Sequence, residues 1–306
     1  MRADHVLAID QGTSATQAMV LDRDGVVLSF AEVPVSVSVS AGGAVEVDPE
    51  LLWHSVVEAG TQAVARAGVP IALVGLANQG ETIVAWDRRT GAAEGPAIVW
   101  QDGRSAAVCD RLRADGVAEL VRRHSGLELD PYFVAPKIQW LREQGVRAEV
   151  VTTTDVWLLH RLCGGGFVTD AATASRTALL DLDRAAWSPA LLDVFGLTEE
   201  ALPEVVACDR VVGETSVFGG VTVPVGGLVV DQQAALFAES CLHAGDVKCT
   251  YGTGAFLLAN TGTSPVRSTT GLAACIAWLL DEGDTCTYCL DGQVFTVGAG
   301  FVGWRK

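Results

Sequence analysis

The 306-residue chain has only three lysines (Lys137, Lys248 and Lys306), two asparagines (Asn78 and Asn260) and two methionines. Its 21 basic residues face 37 acidic ones, for a net charge of −16. So few cations cannot displace counterions from a phosphate backbone, which excludes nucleic-acid binding as a working function. No apolar run approaches the ~18 residues of a membrane helix. Arg2, Asp4 and Gln11 interrupt the N-terminus before a signal-peptide core could form. There is no Gly-x4-Gly-Lys-Ser/Thr loop, which disfavours a P-loop nucleotide site. No Gly-x-Gly-x-x-Gly follows the first strand-like run, which disfavours a Rossmann dinucleotide site. The eight cysteines are scattered between Cys109 and Cys289, a pattern that favours reduced thiols and a cytoplasmic protein. Cys286 and Cys289 form a lone Cys-x-x-Cys in a strand-like segment, without the second pair that a zinc site needs.

Hydrophobic residues make up 49% of the chain and charged ones 19%, enough apolar material for a substantial core. The length suits two domains or one large one. Val6–Ile9, Ala18–Leu21 and Val26–Leu28 read as three short strands, with turns at Gln11–Ser14 and Asp22–Gly25. A polar, β-like stretch runs on to Val47. Asp48-Pro49-Glu50 then has the form of a helix start: a capping carboxylate, proline in the first turn and an acid behind it. The helix it opens places Leu52, Val56, Ala59 and Ala63 on one face and ends near Gly68. Ile71–Ala77 is a buried-strand run that delivers Asn78-Gln79-Gly80-Glu81 at its carboxyl end. Residues 155–162 read as a helix stopped by Gly164–Gly166. Leu228–Val230 forms a strand that meets a helix at Asp231. Alternating β and α units of this kind make the chain α/β.

Three segments can carry chemistry. Asp10-Gln11-Gly12-Thr13-Ser14 joins a strand-end carboxylate, able to hold magnesium through water, to a turn whose hydroxyls can donate to phosphate. Tyr251-Gly252-Thr253-Gly254-Ala255 has the same plan, within a second hairpin over residues 246–260. Both are equally readable as ordinary hairpin turns. Asp231-Gln232-Gln233 sets a carboxylate at a strand's carboxyl end, where α/β sheets bind ligands, and a helix cap explains it as well. Two hairpins with hydroxyl-and-glycine turns would face one another across a cleft if the domain were duplicated.

The ordered set is more specific than any one member. It runs through Asp-Gln-Gly-Thr-Ser (10–14), Asn-Gln-Gly-Glu-Thr (78–82), Trp-Gln-Asp (100–102) and Asp-Pro-Tyr-Phe (130–133). Lys-Ile-Gln-Trp-Leu (137–141), Thr-Asp-Ala-Ala-Thr-Ala-Ser-Arg-Thr (169–177), Asp-Gln-Gln-Ala-Ala-Leu-Phe (231–237) and Thr-Tyr-Gly-Thr-Gly-Ala-Phe (250–256) follow. This series resembles the FGGY carbohydrate kinases, and within them the glycerol kinase branch. The resemblance implies ATP-dependent phosphorylation of a polyol or sugar hydroxyl, in the cleft between two actin-like, ribonuclease-H-like domains. It implies an N-terminal domain over residues 1–240 and the incomplete start of a second, nucleotide-binding domain over 241–306. Asp231 would be the general base, and Asp10 and Asp231 would flank Mg2+. Gly12, Thr13, Ser14 and Gln17, with Gly252, Thr253 and Gly254, would meet ATP. Glu81, Trp100, Tyr132, Asp231, Gln232 and Phe256 would line the polyol pocket. Homo-oligomers are common in that family.

The sequence departs from the family pattern in places. Glycerol kinases carry an arginine where this chain has Gly80, so a wider, less cationic pocket and a different or larger polyol are expected. Gln17 stands where a basic residue usually helps meet phosphate, and Val134 where a small polar residue is usual. The match runs out at Gly298–Trp304, before the segment that cradles adenosine, so a truncated second domain is expected. The alternative is a non-catalytic, kinase-derived polyol-binding protein.

Overall fold

The computed structural model describes residues 4–40, 42–251, 255–281 and 285–294. Its centre is a six-stranded mixed sheet. In spatial order the strands are Val211–Thr215, Val223–Val230, Ile71–Asn78, His5–Gln11, Ala15–Leu21 and Val27–Pro34. His5–Gln11, Ile71–Asn78 and Val223–Val230 run parallel, and Ala15–Leu21 returns antiparallel from the first hairpin. The period-2 burial of Ala15–Leu21 follows from this placement, with Thr16, Ala18 and Val20 facing the core.

The helix Pro49–Ala67 covers this sheet on Ala15–Leu21 and Val27–Pro34. It begins as its sequence requires, with the Asp48 carboxylate accepting from the Glu50 amide. It ends at Gly68, whose left-handed φ of 63° lets its amide reach Val64 O. The buried stripe contains Leu52, Val56, Ala59 and Ala63. The polar stretch after the third strand resolves into two short strands, Ser38–Val39 and Val45–Val47. They join Ala97–Ile98, Ile83–Trp86 and Val150–Thr153 in a five-stranded sheet. Trp86 and Trp157 fill the core beneath, each buried with its indole N–H bonded, to Thr152 Oγ1 (2.9 Å) and Gly91 O (3.0 Å).

A four-stranded antiparallel sheet follows, in the order Val247–Tyr251, Ala255–Gly262, Cys286–Val294, Ala273–Leu279. Its inner residues, among them Leu258, Cys275, Ala277 and Cys289, share a hydrophobic cluster with Leu127, Ile138 and Leu179 from the preceding part of the chain. Backbone bonds from Ala274 N to Gly126 O (2.9 Å) and from Cys208 N to Leu279 O (2.7 Å) seat the sheet against that part. None of the eight cysteines is in a disulfide, Cys286 and Cys289 on one strand included. Among the described residues no helix is long and apolar enough to cross a membrane.

Candidate functional site

The parallel strands His5–Gln11, Ile71–Asn78 and Val223–Val230 end together. On the central strand, Ala77 is flanked by Asp10 and Val229, and Asn78 by Gln11 and Val230. Asp10 and Asp231 therefore stand at carboxyl ends two strand spacings apart, about 10 Å by backbone. That edge of a parallel sheet is where α/β folds place ligands.

A cavity of about 420 Å³ opens there. Of the residues expected from sequence, it is lined by Thr13, Ser14, Glu81, Trp100, Tyr132, Asp231, Gln232 and Phe256. Asp10, exposed at its strand end, and Gly12 are not among the lining residues. Gln17, on the adjacent strand, donates to Glu32 Oε2 at 2.7 Å and does not line the cavity. Gly252, Thr253 and Gly254 lie outside the described residues. The second hairpin does reach the cavity, through Thr250 and Phe256 on either side of its turn.

Hydrogen bonds bind the Asn78–Thr82 turn to the opening hairpin. Gln79 N donates to Gln11 O (2.8 Å), and its side-chain amide reaches Gln11 Oε1 (3.2 Å) and Gly12 O (3.3 Å). Thr13 Oγ1 donates to Gln79 Oε1 (3.3 Å) and accepts from Trp100 Nε1 (2.7 Å). Trp100 stands edge-on to both Tyr132 and Phe256, with ring centroids 5.8 and 6.1 Å away. Trp100 thus stands in an aromatic corner bonded to the opening hairpin turn.

Glu81 is the most constrained member. It is 2% exposed, with a left-handed φ of 57°, a conformation uncommon outside glycine. Arg176 holds it there, donating from Nε to Glu81 Oε1, from Nη2 to Tyr132 Oη (3.3 Å) and from Nη1 to Asp291 Oδ2 (2.8 Å). Burial raises the Glu81 carboxyl, and the Arg176 charge opposes that rise. Arg176 lies within the 169–177 motif, where nothing local points 95 residues back to Glu81. Lys248, which falls in a candidate segment of the sequence, likewise had no role there. Its ammonium, 2% exposed, donates to Gln232 Oε1 (2.7 Å) and Thr250 Oγ1 (2.8 Å), and burial lowers its pKa. Lys137 stays behind the cavity, bonded to the carbonyls of Tyr132 and Phe133.

The expected widening at Gly80 is absent. A Cβ on Gly80 would lie 2.9 Å from Val230 Cγ2 and 3.6 Å from Arg176 Nε, so that corner is already filled. Arg176 lines the cavity and gives it a cationic group.

The Asp231 carboxyl is raised to about 7, by burial first and then by the charges of Asp10 and Glu81. Burial raises Asp10 too. Repulsion between two hard oxygen donors is what a divalent cation relieves, so the pair fits Mg2+. Among the described residues no group of three or more His, Cys, Asp or Glu converges. A magnesium ion there would complete its shell with water and phosphate oxygens, as it commonly does.

Residues 5–238 match the model of the FGGY family of carbohydrate kinases, N-terminal domain. The chain is 42% identical over 319 residues to a glycerol kinase of Parabacteroides distasonis, covering 100% of this chain and 63% of that protein. It is 44% identical over 315 residues to a glycerol kinase of Thermus brockianus, covering 99% and 63%. The crystal structure of Plasmodium falciparum glycerol kinase with ADP superposes with a TM-score of 0.93 at 29% identity, over 99% of this chain and 63% of that one. The chain thus spans about 63% of the length of the curated relatives it matches. The α/β, actin-like architecture implied by the motif series is the one observed, and the chain belongs to the FGGY family of carbohydrate kinases.

Proposed function

We propose that this chain carries the substrate site of a kinase that transfers a phosphoryl group from ATP to a hydroxyl of a polyol or sugar. One observation carries the reading. Asp231, a carboxylate with its pKa near neutrality, shares one cavity with hydroxyl-binding groups (Glu81, Tyr132, Gln232) and phosphate-type hydroxyls (Thr13, Ser14). The similarity to glycerol kinases supports the same chemistry, with glycerol itself one candidate among polyols.

In this reading Glu81 and Gln232 accept and donate hydrogen bonds to substrate hydroxyls while Trp100 and Phe256 cover the carbon chain. Asp231 takes the proton of the attacking hydroxyl as its oxygen bonds to the γ-phosphorus of ATP. The bond from that phosphorus to the β–γ bridging oxygen breaks, and ADP leaves. Burial keeps the Asp231 carboxylate basic enough to accept the proton. Thr13 and Ser14 donate to the non-bridging oxygens of the transferring group. Asp10 and Asp231 would hold Mg2+, which supplies charge neutralisation at those oxygens when bound. With 21 cationic side chains against 37 acidic ones, hydroxyls, amides and metal must carry most of the phosphate recognition. Eight free thiols accord with a reducing, cytoplasmic setting.

The test is coupled ADP release by this chain with ATP, magnesium and a panel of polyols, beside calorimetric binding of the same polyols. Asp231→Asn is expected to lower turnover by orders of magnitude and change polyol affinity little. Equal loss of both would remove Asp231 as the base. Polyol binding with no ADP release would support the non-catalytic, kinase-derived binder instead.

A further inference from the structure

The segment after the third strand reads Val35-Ser36-Val37-Ser38-Val39 and is extended, so its side chains alternate between two faces. Val35, Val37 and Val39 all line the 420 Å³ cavity. Ser36 and Ser38 turn the other way, into a separate groove beside Glu46 and Asp48. The amide of Val35 donates to Ser14 O (2.8 Å), so the valine face starts next to the phosphate-type turn. From there it runs outward, Val35 being 7% exposed and Val39 74%. The same cavity is lined by the polar groups Glu81, Arg176, Asp231 and Gln232.

We propose that the substrate of this site is a polyol or sugar with an apolar end, a deoxy or C-methyl terminus seated on Val37 and Val39. The inference rests on the reading of the cavity as a polyol kinase site and adds the substrate class. A hydroxyl turned onto the valine side chains finds no hydrogen-bond partner on them, which is unfavourable wherever the substrate displaces water. A methyl group there is stabilised by leaving water, and it covers apolar surface that otherwise faces solvent at Val39. The chain carries a serine at every second position of this segment, and a slip of one residue would have turned those hydroxyls into the cavity. The register chooses valine.

The test is isothermal titration calorimetry on the full chain with pairs that differ by one terminal hydroxyl. Suitable pairs are L-fucose with L-galactose, L-rhamnose with L-mannose, and butane-1,2,3-triol with erythritol. The deoxy member of at least one pair is expected to bind roughly fourfold tighter or better, the gain for one buried methylene. Val37→Ser/Val39→Ser is expected to abolish that preference. Val35, the buried one, is left in place so that the fold survives, which an unchanged melting curve verifies. Equal or tighter binding of the hydroxylated member in every pair would overturn the inference while leaving the kinase reading intact. So would a deoxy preference that persists in the double variant. Failure of every compound to bind would overturn the inference as well, and binding of glycerol beside it would leave the kinase reading standing.

Discussion

Arg176 and Glu81 form an ion pair in which each side chain is 2% exposed, and it joins the end of a short helix to the strand-end turn at the cavity. The same guanidinium reaches Asp291 on the last described strand and the Tyr132 hydroxyl. One cation therefore positions two residues of the cavity wall and ties them to the four-stranded sheet. A planar fork with several donors does this; an ammonium, a single point charge, does not.

Arg176→Ala should therefore strand two buried carboxylates, at a cost of about 3–5 kcal/mol in chemical denaturation. Arg176→Lys should fall between wild type and alanine in stability. It should weaken polyol binding, because Glu81 is no longer held in its left-handed conformation. A loss below about 1 kcal/mol for the alanine variant would contradict the assignment.

Gly80→Arg tests the filled corner. The new Cβ meets Val230 Cγ2 at 2.9 Å, and Val230 is 1% exposed, so the substitution should cost about 1–3 kcal/mol by overpacking. Val230→Ala makes room. The double variant should be more stable than the sum of the single effects requires, and strict additivity in thermal denaturation would refute the contact.

Gly126 and Gly68 both cap helices with positive φ, 78° and 63°. A Cβ at Gly68 meets nothing within 4 Å, whereas at Gly126 it would sit 2.5 Å from Ala274 O on the four-stranded sheet. Gly68→Ala should cost about 1 kcal/mol, the left-handed penalty alone. Gly126→Ala should cost clearly more, because it wedges the sheet from its seat. Similar urea midpoints for the two variants would show that the seam is looser than this.

Asp170 supplies a pH test. Burial, and behind it the charge of Asp155, lifts this carboxyl to about 7, against the pull of hydrogen bonds from Thr173 and Ala172. Unfolded, it titrates near 3.9. Between about 4 and 7 the folded chain thus holds a proton that the unfolded chain has released. Raising the pH through that window removes stability, and above about 7 the loss is complete. Melting temperatures from pH 4.5 to 7.5 should fall for wild type relative to Asp170→Asn, which does not titrate. Parallel curves would contradict the shift.

Much of the local structure was legible in the residues. Asp48-Pro49-Glu50 announced a helix, and Ile71–Ala77 announced a buried strand, because capping and apolar period are properties of neighbours in the chain. Asp10 and Asp231 were legible as candidates because each follows an apolar run, and strand ends are where parallel sheets meet ligands; Glu81 was legible only through the motif series. Arg176 was present in a quoted motif yet silent, since its partners Glu81, Tyr132 and Asp291 are distant in sequence.

The sequence by itself determined the α/β class, the motif order of the family and the residue types at the cavity. It also contained the valine–serine alternation, which has a period but no direction. Tertiary packing decided the rest: which face of that segment meets the cavity, that Val230 fills the space beside Gly80, and that Gln17 turns to Glu32. The physical reason is the same in each case. Local pattern dictates conformation, whereas the environment of a side chain depends on which distant backbone is packed against it.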